Sequence, residues 1–225
     1  MTKKIFSWLG REFVELSTEA QGGASAAEQA SEIFARCERE LRALGLSLDD
    51  TVRSRLWGRD RVSRDQGSDE RVRILSGRAR SASSSYIAPS RFDSNASVAL
   101  DLLALRPARP CEKILKEYVP PIVPLRYLVY DSIVVLSGVT AVLPTLEEQM
   151  ANILPRIGGS LAEAGGSWER VAKISFYLHR SQKIADLSTL FRKVVTAEIP
   201  QMEYAFVDGY SAEGKLIEIE TTAQI

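Results

Sequence analysis

The stretch SGVTAVLPTLEEQMANILPRIGGSLAEAGGSWERVAKISFY, Ser137 to Tyr177, decides the fold because the chain carries its punctuation twice. At a constant spacing of 120 residues, Ser137 falls on Ser17, Gln149 on Gln29, Gly165 on Gly45 and Ser167 on Ser47. Flanking positions agree in type: Glu169 stands over Asp49, and Ala172-Lys173 over Val52-Arg53. An ungapped offset held over about 40 residues marks an internal repeat, which sets the architecture before any single element does.

The repeat divides 225 residues into two units of ordinary domain size. The expected organisation is a first domain over 1–107, a proline-rich linker over 108–124 and a second domain over 125–225. Basic and acidic residues balance at 29 each, so no global field draws the chain to nucleic acid or membrane. Arg53 to Arg80 is arginine-rich but interleaved with Asp60, Asp65, Asp69 and Glu70, and reads as a solvated face. Two scattered cysteines, Cys37 and Cys111, and the single His179 do not make a metal-ligand set. The N-terminal MTKKIFSWLGREF lacks the apolar run of a signal peptide, and no segment approaches 18 apolar residues; the expected compartment is the cytoplasm.

Residues 5–16 predict two short strands turning at Gly10. From Ala24 to Leu44, apolar residues at three- and four-residue spacing predict an amphipathic helix, with Gly45 placed to end it. Alternation over Thr51–Trp57 predicts a strand, and a helix follows within Ser63–Leu75, interrupted at Gly67. Strands are expected at Ser81–Ile87 and Ser97–Leu105. Five of nine prolines fall between Arg106 and Leu125, with a turn of helix expected at Glu112–Tyr118. The second unit repeats the order, except that Pro155 and Gly158-Gly159 inside its first helix predict a kink or a helix held by packing. Each unit thus reads β-β-α-β-α-β-β, an α+β sheet with both helices on one face. The other face needs a cover, and in so small a domain another sheet is the natural one.

The words VVLSG (134–138), EEQMANIL (147–154), EAGGSWERVAKISFYL (163–178) and GKLIEIETTA (214–223), in this order and spacing, resemble the RidA (YjgF/L-PSP) family of reactive enamine/imine deaminases. The resemblance covers Leu125–Ile225 and, more divergently, Ile5–Pro107. It implies tandem chorismate-mutase-like domains, a homotrimer of two-domain chains, ligand clefts between domains, a small-molecule substrate and no cofactor or metal. It also implies an arginine that binds the substrate carboxylate, a backbone amide at a Ser-Gly word, and an acid in the last strand that positions water. A guanidinium fork suits a carboxylate, and a positioned base delivers water to an imine carbon.

Carried onto this chain, those parts are split. The first copy supplies Arg80, but its Ser-Gly word has become Ser17-Thr18. Asp101 occupies one of the two acid positions; if ALRP (104–107) sets the register it is the second, and Ala99 takes the first. The second copy keeps Ser137-Gly138 and Glu218, while Met202, or Glu203 with a one-residue shift, stands where the arginine belongs. The leading expectation is a composite site at an inter-domain interface, with Arg80, Glu218 and Asp101 as catalytic candidates and Ser137, Gly138, Ser17, Thr18, Met202 and Glu203 lining it. Its activity would be hydrolytic deamination of a small imine or enamine. The alternative is a catalytically silent ligand-binding or scaffolding protein.

Overall fold

The computed structural model describes all residues from Met1 to Ile225. The first sheet is built from β1 (Thr2–Trp8), β2 (Arg11–Glu19), β3 (Thr51–Gly58), β4 (Ala82–Ile87) and β5 (Val98–Arg106), in the order β1-β2-β5-β3-β4. The second takes β6 (Ile114–Lys116), β7 (Tyr127–Tyr130), β8 (Ile133–Leu136), β9 (Val139–Thr140), β10 (Val171–His179), β11 (Gln201–Val207) and β12 (Ile217–Gln224). Its order is β11-β10-β12-β8-β7-β6, with β9 also on β12. Helices α1 (Ala26–Ala43) and α2 (Arg61–Ile74) cover the first sheet; α3 (Leu146–Glu163) and α4 (Ile184–Val194) cover the second.

The shared residues of the repeat act as local pins. Ser25 and Thr145 cap α1 and α3, each in a reciprocal capping box with a glutamate three residues on. Gly45 and Gly165 take left-handed φ of 70° and 86°, which lets the chain leave each helix sharply. Gln29 and Gln149 do the same work in both copies. Gln29 Oε1 accepts from Ser97 N and Val98 N at the start of β5. Gln149 Oε1 accepts from Leu216 N just before β12, while its Nε2 donates to Leu143 O and Gly214 O, both at 2.7 Å.

Two local expectations need correction. Gly67 does not interrupt α2: a Cβ there would lie 3.2 Å from Val98 and 3.3 Å from Leu56, so its absence lets the helix sit close on the sheet. The linker holds no helical turn at 112–118; Ile114–Lys116 is instead a strand paired with β7. Pro155 sits within a continuous α3 whose Ile153, Leu154 and Ile157 are buried, so packing overrides propensity.

Each sheet's uncovered face meets the other's, giving helix, sheet, sheet and helix layers in one chain. The sheet expected to cover each open face is the chain's other sheet. The inter-sheet layer is apolar at one end, around Phe13, Leu105, Leu128 and Ile133, and aromatic at the other, where Trp57, Tyr86, Tyr177 and Tyr210 pack. Tyr86 and Tyr177 stack at 4.2 Å between centroids. Charged residues fill the middle. No helix is long and apolar enough to cross a membrane.

The Gln149 clamp gives a direct test. Replacing Gln149 by Leu strips partners from two carbonyls and one N–H and should cost roughly 2–3 kcal/mol in urea unfolding; an unchanged midpoint would show that the clamp contributes nothing.

Candidate functional site

The polar middle of the inter-sheet layer is organised on Glu220, which is 2% exposed on β12. Arg55 of β3 grips it bidentately, Nε to Oε1 at 3.1 Å and Nη2 to Oε2 at 2.6 Å. Ser84 donates to Oε1 at 2.5 Å and Tyr86 at 3.1 Å. Arg53 donates to Thr222 and brings its Nε to 3.5 Å from Oε2 without a hydrogen bond. Burial pushes the Glu220 carboxyl up, but the Arg55 and Arg53 charges and these hydrogen bonds outweigh it and hold the pKa down to about 2. Arg55 also lies over the Tyr177 ring, 4.9 Å from its centroid.

Glu218, two residues earlier on the same strand face, has the opposite setting. It is 5% exposed and makes no ion pair. Burial drives its pKa up to about 7; Lys215 and Arg64 pull it down, and Glu220 adds to the rise. Two carboxyl groups in one strand are thus driven apart, one permanently ionised and one able to give or take a proton near neutrality. Glu218 lies tight against Gly138: a Cβ there would stand 2.6 Å from Cδ and overlap Oε1. The glycine of the Ser-Gly word therefore admits the carboxyl to this position.

A cavity of about 540 Å³ opens beside this layer, between β4, α2 and the linker. Ser54, Arg71, Arg80, Ser81 and Ser83 line it, with Glu117 and 121–125 opposite. Arg71 is 4% exposed and has no carboxylate partner; it donates only to Ser84 O, to Ser54 O at 3.4 Å and to Ser68 Oγ at 3.0 Å. Burial and the nearby Arg64 charge lower its pKa to about 10, so it remains a cation at neutral pH. The volume suits a small metabolite.

Of the residues singled out from sequence, Arg80 lines the cavity and is bound by Glu117. Ser137 and Gly138 join the first copy's β4 directly: Ser83 N donates to Ser137 Oγ and Gly138 N to Ser83 O, both at 3.1 Å. The Gly138 amide is thus occupied, and Glu218 stands behind the strand edge that walls the cavity. Asp101 lies outside this cavity, accepting from Ser17 at 2.7 Å, Trp57 at 2.8 Å and Arg91 at 3.0 Å, 3.7 Å from Arg55 Nη1 and in the same cleft as Glu203. Thr18 binds Arg36 at 2.8 Å. Glu203 pairs with Lys173 at 2.7 Å in a second cleft of about 340 Å³. Met202 packs against the core of the second copy.

Strand register settles two open positions. Arg55 faces Asp101 as its counterpart Ser175 faces Glu220, and Trp57 faces Ala99 as Tyr177 faces Glu218. Asp101 therefore corresponds to Glu220, and Ala99 stands in place of Glu218. Arg53 faces Ala82 and its counterpart Lys173 faces Gln201, which puts Ile199 where Arg80 lies. Met202 and Glu203 correspond instead to Ser83 and Ser84.

No protein-family model and no curated protein matches the chain. Among solved structures, a chorismatase superposes at a TM-score of 0.63 with 16% identity, over 98% of this chain and 79% of its own. The chain has the chorismatase fold. A YjgF/YER057c/UK114 family member from Mycobacterium tuberculosis matches over 51% of this chain and all of its own length, at 19% identity and a TM-score of 0.46. RidA from a Psychrobacter species covers 49% of this chain and 94% of its own, at 19% identity and a TM-score of 0.44.

Much of the arginine-rich run is not the expected solvated face, although Arg73 and Arg78 are exposed. Arg53 and Arg55 point between the sheets, and Arg61, Arg64, Ser68 and Arg71 share one side of α2. Arg61 donates to Tyr210 O and Arg64 to Ser85. The signal was present in the spacing: an arginine at alternate strand positions, then arginines at i, i+3 and i+10, the inward period in each case. No group of three or more His, Cys, Asp or Glu side chains is placed to hold a metal ion.

The two carboxyls act in separate pH windows. Native Glu218 keeps its proton up to about pH 7, while in an unfolded chain it ionises near 4.5. Its contribution to stability is complete below 4.5 and is lost as pH rises through 7. Glu220, lowered to about 2, contributes above 4.5 and loses that contribution as pH falls toward 2. Glu218→Gln should therefore gain on the wild type between pH 5 and 8, by about 3 kcal/mol in urea unfolding. A difference that stays constant with pH would contradict a protonated native Glu218.

Proposed function

We propose that the chain binds a small carboxylate-bearing molecule in the 540 Å³ cavity and hydrolyses it there, with Glu218 as the proton donor. The observation that carries this reading is Arg71, a buried cation on the cavity wall with only neutral acceptors, set beside Arg80. Removing a charge from water without an opposite charge is costly, and a ligand anion would supply the missing one.

The bond class follows from the proton donor. A carboxylate-bearing enamine or enol ether, with nitrogen or oxygen on a C=C carbon, is hydrolysed by protonating the distal carbon. Water then adds to the resulting cation, the C–N or C–O bond breaks, and a 2-oxo acid leaves with an amine or alcohol. An acid whose pKa is near 7 suits the first step. The enamine/imine class is what the RidA resemblance implies; the enol ether class is what the name of the fold relative, a chorismatase, suggests. For Glu218 to reach a bound substrate, the contact between Ser83 and Gly138 must part.

That same contact favours a second reading, a ligand-binding protein without turnover, because the Gly138 amide and Glu218 are walled off in this state. The two are separated by measuring ammonia release from oxidase-generated imino acids and pyruvate release from chorismate. The enzyme reading expects turnover above buffer with one of them, a loss of about 10²-fold or more in Glu218→Gln, and activity falling as pH rises past 7. It also expects Arg71→Met to raise KM. Rates equal to buffer with both substrates, alongside intact ligand binding, would leave the silent reading.

A further inference from the structure

The segment from Glu117 to Leu125 forms one side of the cavity, and its attachment is unusual. Its ends are drawn together where Arg126 N donates to Lys116 O at 2.9 Å, the closure of a compact surface loop. Between those ends, Val119, Ile122 and Val123 are 97%, 54% and 60% exposed, and burial fastens the loop only at its last residue, Leu125, which packs in the inter-sheet core. The one hydrogen-bonded tie from this loop to the first copy is the two-pronged ion pair between the Glu117 carboxylate and the Arg80 guanidinium. Arg80 and Glu117 are both part of the cavity lining.

Glu117 thus occupies the Arg80 fork in the geometry that a ligand carboxylate would use. We infer that Glu117 is a built-in competitor that sets affinity and selectivity at the cavity. A ligand gains Arg80 only by displacing Glu117, and displacement releases the one hydrogen-bonded tie that holds the loop ahead of Leu125 against the first copy. Ligands that present one anionic group engage Arg71 and leave the loop closed. Ligands with a second anionic group reach Arg80 and open it. This rests on the anion-binding reading of the cavity, because Glu117 has nothing to compete with unless an anion enters.

Both side chains are about one-third exposed, so their pairing is worth little more than a surface ion pair, and removing it should change affinity by roughly fivefold. Titration calorimetry of the full chain with benzoate and with phthalate, a mono- and a dicarboxylate, tests the idea. Glu117→Gln should tighten phthalate about fivefold and leave benzoate unchanged, and Arg80→Met should abolish that difference. Hydrogen exchange at the amides of 118–125 should rise in Glu117→Gln without ligand, with the unfolding midpoint unchanged. If wild type and Glu117→Gln bind both probes equally, the competitor role is overturned and the cavity reading stands. If Glu117→Gln loses binding, Glu117 is itself a ligand contact and the inference also fails. If neither protein binds either probe, the anion-binding reading falls, and the competitor role with it.

Discussion

The structure depends on one buried charge contact, that of Arg55 and Arg53 in the first sheet with Glu220 in the second. As a source of net stability such a contact is weak, since desolvation offsets most of the attraction. Its stronger consequence is the choice of partner. Two copies of one fold carry similar apolar sheet faces, and either face could pack on its own kind in another chain. The charges break that equivalence. The first copy presents arginines at 53 and 55 where the second has Lys173 and Ser175, and the second presents Glu218 and Glu220 where the first has Ala99 and Asp101. Packing first on first would place buried arginines against arginines, and second on second would place glutamates together. First on second is the pairing that neutralises both faces, and a short linker makes it intramolecular.

The same asymmetry explains how the two copies diverged at the Ser-Gly word. In the second copy the strand breaks between Leu136 and Val139, and Gly138 leaves room for the Glu218 carboxyl. In the first copy β2 runs unbroken to Glu19 through Ser17-Thr18, and the residue at the Glu218 position is Ala99. Where the carboxyl is gone, nothing requires a glycine, and Thr18 turns instead to Arg36 and the Glu19 carbonyl. The absence of the acid and the absence of the glycine in the first copy are thus structurally consistent with each other.

What was legible in the sequence had local causes. Gln29 and Gln149, and Gly45 and Gly165, recur because each answers a demand of nearby backbone: a clamp on a strand entry or a helix exit. Helix and strand periods followed for the same reason. Ser47 caps its 3-10 turn, while Ser167 donates to Glu169 instead. Arg53, Arg55 and Arg71 do not fit the solvated reading, because their partners are remote, whereas Arg73 and Arg78 are exposed as expected. Glu220 lies 165 residues from Arg55, and the carbonyls that receive Arg71 belong to neighbouring strands. In one dimension a run of alternating charge looks solvated; only the sheet-on-sheet contact makes it interior. The acid register of Asp101 was ambiguous for a related reason, since ALRP and the acid word differ by a two-residue step that keeps the same face and only pairing can resolve.

Arg71 and Arg55 together separate structural charge from site charge. Both are buried guanidinium groups. Arg55 meets two carboxylate oxygens and the face of Tyr177, and needs nothing further. Arg71 meets two backbone carbonyls and one hydroxyl; burial and its neighbour Arg64 work against its charge, and the more distant Glu218 and Glu220 offset only part of that. A helix that needed only to pack on β3 and β4 would do so at lower cost with leucine at 71, as α1 does with Leu41 and Ile33. The cavity opens on Arg71, a charge that no carboxylate hydrogen-bonds, and the anion proposed above would pair with it there. By this comparison the proposed ligand site is the cavity rather than the ion-paired centre between the sheets, whose charges are already answered.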